Sequence, residues 1–205
     1  MRRLAHELGV EAMSLYYYVA NKDELLQGMV DVVTAEIEVP SSEADWKTAI
    51  RRSAISYHDA LGRHRWATNL LMSGPPGVSP AQLRYNDALL RRLRESGLSP
   101  ELSHRAYHAL DSHIVGSTLW AAGISAVMKT KPDFVQKFIR ELPRDEYPDF
   151  ANHVDQHMTK SVRTSGKSEF EFGLDLILDG LERMHDAMRK PAHRKARQKA
   201  APPRS

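Results

Sequence analysis

The sequence predicts an all-α fold, and three features of its pattern lead to that class. Apolar residues recur at intervals of three and four over long stretches, which places them on one face of a helix. Val, Ile and Thr do not gather into alternating runs bounded by turn residues, so strands are not indicated. Residues that cap helices, such as Asn21, Ser99 and Gly97, stand at the ends of the periodic stretches.

The first forty residues predict three short helices in close succession. A helix over 2–8 ends at Gly9, and a second segment covers 11–19. Asn21 then caps a third helix, and Glu24 stands three places on, where it can reach back in a capping box. This compact start differs from the longer helices that follow it.

The rest of the chain predicts longer helices after a linker at 39–42. The segment 73–80 must be a loop, because its three prolines and two glycines cannot continue a helix. The predicted helices cover about 45–61, 66–72, 81–96, 99–128 and 168–188. We therefore expect three regions: 1–40 as a first domain, 41–190 as a second, and 191–205 as a disordered tail without an apolar face.

Composition restricts the class of protein further. The 205 residues are 41% hydrophobic and 27% charged, enough for one mid-sized domain or two small ones. The absence of cysteine excludes a disulfide scaffold and a cysteine nucleophile, and it suits a cytoplasmic protein. The longest apolar stretch, 115–128, is shorter than the ~20 residues that a membrane helix needs. We expect no membrane association.

The net charge of +3 reflects one end of the chain. Residues 189–205 hold seven Lys or Arg and no acidic residue, which leaves 22 basic against 26 acidic groups elsewhere. Residues 1–40 carry a net charge of −4. The sequence pI of 9.1 is therefore no evidence for nucleic-acid binding by itself.

Three residues near the start have the spacing of a helix-turn-helix. Ala5 is a small residue in the first helix, Gly9 follows four places later, and apolar Leu15 follows six after that. Two helices that cross tightly need a small residue, a turn residue able to take positive φ, and an apolar plug in this order. The same spacing also fits two core helices joined by a glycine turn.

The wider sequence resembles the tetracycline-repressor (TetR) family of transcription regulators. Residues 4–10 read LAHELGV, 14–19 read SLYYYV and 21–26 read NKDELL, in the order of that family's DNA-binding head. Residues 170–182, FEFGLDLILDGLE, resemble its last helix, and the middle of the chain fits in helix order. The resemblance covers nearly the whole chain.

The resemblance implies a ligand-responsive homodimeric repressor, not an enzyme, that binds a double-stranded DNA operator. One recognition helix from each protomer would enter a major groove, and the larger helical domain would bind a small effector and form the dimer. No cofactor is implied. By position, the resemblance assigns DNA contacts to Arg3, Ala12, Met13, Ser14, Tyr16, Tyr17, Tyr18 and Lys22, while Leu15 would be core.

The sequence departs from the family at its start. Family heads have three helices, and the first of them would precede Met1 here. The apolar side chains Leu4, Leu8, Leu15 and Val19 would then lack their partner, at roughly 1.5–3 kcal/mol for each side chain left in water. We expect the chain to be an N-terminally truncated or misassigned frame and a poor DNA binder as it stands. In-frame coding upstream of Met1 would support this.

The resemblance also indicates the class of effector. Tetracycline-binding members use a histidine where this chain has Leu71, and an acidic group near Ala121, so a metal–tetracycline complex is not expected. We predict no metal site and a mainly apolar or aromatic effector. The predicted pocket residues are Ser53, Tyr57, Asn69, Met72, Asn86, Leu89, His113, Ser117 and Trp120, and each of them also fits an ordinary core position.

The dimer would form from helix 101–128 and the last helix, paired with their copies in a four-helix bundle. Burial within one chain is the alternative for the apolar surface of the last helix. The predicted interface residues are Phe172, Leu174, Ile177, Leu178, Leu181 and Met184.

Two other functions remain open from the sequence. A dimeric small-molecule sensor that lost DNA binding differs from the repressor only in the missing first helix. A metal enzyme is a remote alternative, suggested by the pairs His104 and His108, near Asp111, and His153 and His157. A helical histidine pair needs a third ligand and a water-activating base, and neither pair lies in an HExxH motif.

Overall fold

A computed structural model describes residues 1–42, 45–73, 79–156 and 168–199, and within these ranges it contains helices and no strands. The predicted all-α class is confirmed. No helix of these ranges is long and apolar enough to cross a membrane. The helices are α1 (Arg2–Glu7), α2 (Ala12–Tyr18), α3 (Lys22–Ala35), α4 (Trp46–Arg63), α5 (Arg65–Ser73), α6 (Pro80–Glu95), α7 (Pro100–Thr130), α8 (Pro132–Glu141), α9 (Pro148–Val154) and α10 (Glu169–Lys199).

The predicted caps delimit the helices. Gly9 and Gly97 have φ values of +66° and +89°, so glycine terminates α1 and α6 in the left-handed region. The Asn21 side chain accepts a hydrogen bond from the Glu24 amide (2.8 Å) at the start of α3. In a capping box the Glu24 carboxylate would accept from the amide of the N-cap residue Asn21. Here it accepts from the Ala20 amide (2.6 Å), one residue earlier.

The hydrophobic core lies between α4, α6, α7 and α10. Each of these helices places apolar side chains at helical spacing on its inner face, and the innermost are almost completely removed from solvent. Burial of such a side chain stabilises the fold by about 1.5–3 kcal/mol. The fully buried large residues include Ile50, Leu61, Leu89, Leu93, Leu110, Ile114, Leu174 and Leu178.

Charged pairs fix α10 against α4. Two basic residues one turn apart on α4, Lys47 and Arg51, meet a row of carboxylates on α10. Arg51 is held by two carboxylates at once, and its side chain is about two-thirds buried. The pairs are Lys47 with Asp179 (2.6 Å) and Glu182 (2.7 Å), and Arg51 with Asp175 (2.7 Å) and Glu171 (3.0 Å).

The predicted dimer residues of α10 divide between two faces, which corrects part of the prediction. Leu174 and Leu178 are fully buried within their own chain, and Leu181 is also buried there, so these three are core residues. The prediction failed because the apolar stripe of α10 is wide enough to serve both an internal core and an outer surface. Phe172 and Met184 are exposed.

The C-terminal segment also differs from the prediction. The helix α10 continues to Lys199, whereas a disordered tail was expected from residue 191. Ala, Lys, Arg and Gln dominate 192–199, and these residues favour helix. Adding turns to an existing helix also avoids the unfavourable nucleation step. Residues 200–205 lie outside the described residues.

Replacing Arg51 with Met tests the α4–α10 ion pairs. The variant keeps the aliphatic stem but leaves Glu171 and Asp175 without their cation, so the free energy of unfolding should fall by about 1.5–3 kcal/mol in urea denaturation. Arg105→Met is the matched control. Among the described residues Arg105 pairs with exposed Glu101, so its replacement should change the free energy of unfolding little. Equal effects of the two variants would contradict the assignment.

Candidate functional site

The first two helices form a helix-turn-helix unit. They pack on each other, with Ala5 buried between them and Leu15 half-buried as a plug. The turn is closed at Gly9, and the Val10 amide donates to the Ala5 carbonyl (3.0 Å). The small residue, the turn residue and the plug thus occupy the positions that their spacing predicts.

The side chains assigned to DNA lie on the surface of this unit. Tyr17 and Tyr18 are 86% and 79% exposed and contact each other edge to face at 5.3 Å. Met13 is 77% exposed, in a helix that has no buried residue. Arg3, Ser14, Tyr16 and Lys22 are also exposed, and Ala12 is half-buried.

Apolar side chains of the head also remain in contact with solvent. Leu8 and Val10 are exposed, and Leu4, Leu15 and Val19 are only half-buried. In the part of the chain that the structure describes, Ala5 is the one buried residue of α1 and α2. The head therefore contributes little to the hydrophobic core.

The third helix connects the head to the larger body. The Asp31 carboxylate accepts from the Ala81 amide (2.8 Å) at the start of α6. Hydrogen bonds from the Ser79 hydroxyl and this amide lower the pKa of Asp31. At the other end of the helix, Glu36 pairs with Arg63 (2.8 Å) at the end of α4. A displacement of α4 or α6 would therefore be transmitted to α3.

A group of polar side chains lies inside the body, between α4, α6 and the first half of α7. It consists of Ser53, Tyr57, Tyr85, Tyr107 and Asp111, and we call it the tyrosine cluster. The rings of Tyr57 and Tyr85 meet edge to face at 5.1 Å, and both residues are buried. The Ser53 hydroxyl lies beside Tyr85 but makes no hydrogen bond of normal geometry with the described residues.

Burial and the Asp111 charge perturb the acid groups of the tyrosine cluster. Burial raises the pKa of Asp111 above its usual range. Burial also raises the pKa of Tyr57, Tyr85 and Tyr107, and the nearby Asp111 carboxylate raises each of these further. Clusters of perturbed acids in a protein interior are typical of functional sites.

The structure separates the other predicted pocket residues, which corrects the proposed set. Ser53 and Tyr57 belong to the tyrosine cluster, while Leu89 lies in the core next to it on α6. Asn69 and Met72 are exposed on α5. Asn86 is half-buried on α6, and the Ser117 hydroxyl donates to the Ile114 carbonyl of its own helix (3.0 Å).

Trp120 lies in a separate apolar groove on the second half of α7. Trp120 lies about 20 Å from Tyr107 along the axis of α7, since a helix rises about 1.5 Å per residue. The groove has a volume of about 600 Å³ and is bounded by α7 and α8. Its lining residues are Gly116, Leu119, Trp120, Gly123, Ile124, Val127 and Val135.

His113 points to α10. Its Nε2 lies 2.9 Å from the Phe170 carbonyl, and its ring stacks on the Phe170 ring at 5.1 Å. His58 of α4 stacks on Phe170 at 3.9 Å, so one phenyl ring joins three helices. A β-carbon at Gly173 would lie 2.4 Å from the His113 ring, which explains the need for glycine there. His113 therefore has a packing role.

The histidine pairs do not assemble a metal site in the described residues. His104 and His108 are neighbours on α7, with ring centroids 4.5 Å apart. No group of three His, Cys, Asp or Glu within the described ranges is arranged to hold a metal ion. His157 of the second pair lies outside the described residues.

The predicted effector pocket did not include Tyr85 or Tyr107, and Asp111 was considered only as a neighbour of the His104 and His108 pair. Tyr85 precedes the predicted Asn86, and Asp111 follows Tyr107 by one helical turn. The helical spacing of these residues can be read from the sequence, but which faces of α6 and α7 meet each other cannot.

A helix-turn-helix head on a larger all-helical body defines a class of transcription regulators. Residues 39–185 match the family profile described as the tetracyclin repressor-like, C-terminal domain. The chain is 30% identical over 205 residues to the HTH-type transcriptional repressor DrrR1 of Streptomyces coeruleorubidus, covering 89% of this chain and 69% of the relative. It is 26% identical over 195 residues to the class G tetracycline repressor of Vibrio anguillarum, covering 91% and 85%.

A solved structure extends the likeness to three dimensions. The Streptomyces coelicolor TetR family protein ActR, in complex with actinorhodin, superposes with a TM-score of 0.70 at 27% identity. The match covers 90% of this chain and 87% of ActR. The chain belongs to the TetR family.

The His58–Phe170 stack predicts a pH dependence of stability. Burial lowers the pKa of His58 below its usual 6.5, so the folded state takes up a proton less readily than the unfolded state. This contribution to stability is present above about pH 6.5 and is lost as pH falls through the lowered folded pKa. The free energy of unfolding, measured with urea at several pH values, should fall less below pH 6.5 in His58→Phe than in wild type. Parallel curves would contradict the assignment.

Proposed function

We propose that the protein is a ligand-responsive transcription regulator that binds operator DNA as a homodimer. Residues 1–40 would form the DNA-binding domain and 41–190 the effector-binding and dimerisation domain. The observation that carries the proposal is the exposed surface of α2, the second helix of the helix-turn-helix in a chain of the TetR family.

The surface of α2 suits contacts in a major groove. Tyr16, Tyr17 and Tyr18 can donate hydroxyl hydrogen bonds to phosphates, as can Ser14. Met13 can contact thymine methyl groups. This side-chain set gives little hydrogen-bond readout of bases, so much of the affinity would come from phosphates. Phosphate contacts of Arg3 and Lys22 would release counterions from the DNA, so binding would weaken as salt rises.

The body suits a small effector. ActR was solved in complex with actinorhodin, and other relatives are tetracycline repressors by name. These likenesses support a small apolar or aromatic molecule as the effector here. The tyrosine cluster is the candidate site, because it is a group of polar side chains packed against α4 and α6, two helices that contact α3.

A route from the effector to DNA follows from the contacts of α3. Tyr85 lies on α6, and α6 is joined to α3 through Asp31 and the Ala81 amide. Tyr57 lies on α4, whose end is joined to α3 through Arg63 and Glu36. Rearrangement of the cluster would move α3 and with it the spacing of the two heads.

Outward apolar faces on α7 and α10 support a homodimer. On α10, Phe172, Leu176 and Met184 share one face and are all exposed. On α7, Leu119 and Trp120 are exposed beside the apolar groove. Contiguous exposed apolar surface marks an interaction site. The helices α7 and α10 also pack together within the chain.

A sensor without DNA-binding activity is the second candidate function. The exposed Leu8 and Val10 and the absence of buried residues in α2 favour it, because a weakly packed head loses free energy on docking to DNA.

Titration into DNA separates the two functions. Labelled DNA from the gene's own upstream intergenic region and random DNA are compared by fluorescence anisotropy at two salt concentrations. We expect saturable, selective binding that weakens as salt rises. Selective binding supports the regulator, and its absence in a folded dimer supports the sensor.

Tyr17→Ala tests the recognition surface directly. Tyr17 is almost fully exposed, so folding should be unaffected while operator affinity falls about tenfold, or about 1.4 kcal/mol. Tyr147→Ala, which removes an exposed tyrosine between α8 and α9, is the matched control. Operator binding that is unchanged in Tyr17→Ala would place the DNA surface elsewhere.

Leu176→Glu tests the dimer face. A carboxylate there would have to be desolvated on association, so sedimentation should show a shift from dimer toward monomer. Leu83→Glu changes a similarly exposed leucine on α6 and should leave the dimer intact. A dimer that survives Leu176→Glu would exclude this face.

A further inference from the structure

We propose that the effector carries a protonated amine, which the Asp111 carboxylate and the rings of Tyr57, Tyr85 and Tyr107 bind. This inference rests on the proposed effector site and adds the charge of the ligand. It narrows the apolar or aromatic effector to an aromatic or apolar cation.

Asp111 is an acidic group without a hydrogen-bond or salt-bridge partner among the described residues. It is only partly exposed on α7, and among the described residues it forms no hydrogen bond and no salt bridge. Removing a carboxylate from water without pairing it is unfavourable. Elsewhere in the body, the half-buried Asp175 and Glu171 are each paired with Arg51. Within the described ranges no cation forms a salt bridge with Asp111, which leaves its carboxylate available to a cationic ligand.

The side chains around Asp111 suit an organic ammonium group. The aromatic rings of Tyr57 and Tyr85 are already packed together, and Tyr107 stands one turn before Asp111. Aromatic faces attract weakly hydrated cations within about 6 Å of the ring. The phenol hydroxyls of Tyr57 and Tyr107 form no hydrogen bonds with the described residues, and that of Tyr85 lies beside the Ser53 hydroxyl. These phenol oxygens can accept from an ammonium N–H.

Two other partners for Asp111 fit less well. His108, one turn away on α7, acts electrostatically on Asp111, but it is exposed and forms no salt bridge to Asp111 within the described ranges. A hard metal ion prefers several carboxylate or carbonyl oxygens, whereas this cluster offers one carboxylate among aromatic rings. An organic amine uses both the charge and the rings.

Two probes of nearly the same shape test the inference. 1-Naphthylmethylamine is protonated at pH 7, and 1-naphthalenemethanol is neutral. Isothermal titration calorimetry of the full chain should show the amine binding about tenfold or more tighter than the alcohol. In Asp111→Asn, amine affinity should fall until the two probes bind about equally, while alcohol affinity stays unchanged.

A matched control and a folding readout accompany the titration. Asp87→Asn removes an exposed carboxylate that pairs with Arg91 on α6, and it should keep the wild-type preference for the amine. The melting temperature of Asp111→Asn without probe should equal or exceed that of wild type, because an unpaired carboxylate is removed.

The outcomes separate the inference from the proposed function. Equal binding of both probes by wild type, no saturable amine binding, or an unchanged preference in Asp111→Asn would overturn the inference. Operator binding is measured in the same samples without probe. Selective operator binding without a preference for the amine would support the proposed regulator and overturn the inference about the ligand. A preference for the amine without operator binding would support the ligand site and contradict the proposed DNA-binding function.

Discussion

The packing of α10 against α4 and α7 is the constraint on which the body depends. Leu174 and Leu178 are completely buried, and the carboxylates beside them pair with Lys47 and Arg51. These contacts fix the rotation of α10 about its axis. Once that rotation is fixed, Phe172 and Leu176 must face outward, so the same contacts that build the core also determine which surface remains for a partner.

Polar groups inside the body divide into paired and unpaired sets. The ion pairs between α4 and α10 satisfy each other and act in stability. The tyrosine cluster leaves Asp111 and the Ser53 hydroxyl without partners among the described residues, although both are removed from bulk water. A polar group left without a partner inside a protein lowers stability until water, an ion or a ligand completes it.

The two candidate sites are mechanically connected through α3. This helix has few buried residues of its own, yet its carboxylates at Asp31 and Glu36 bind α6 and the end of α4. Those helices carry Tyr85 and Tyr57. In the proposed regulator, a displacement at the cluster would reach the head through these hydrogen-bonded groups.

The sequence by itself determined most of the helices, their caps and the helix-turn-helix, because these depend on residues close together in the chain, but it did not predict α8 or α9. Gly9, Asn21 and Gly97 act locally, and their positions are readable from spacing. The tertiary structure alone decided which faces meet. Leu174 and Phe172 look equivalent in sequence, and so do Trp120 and Tyr57 as pocket residues, yet packing of distant helices separates each pair. Helical periodicity defines an apolar stripe, whereas the rotation of neighbouring helices decides which part of it is buried.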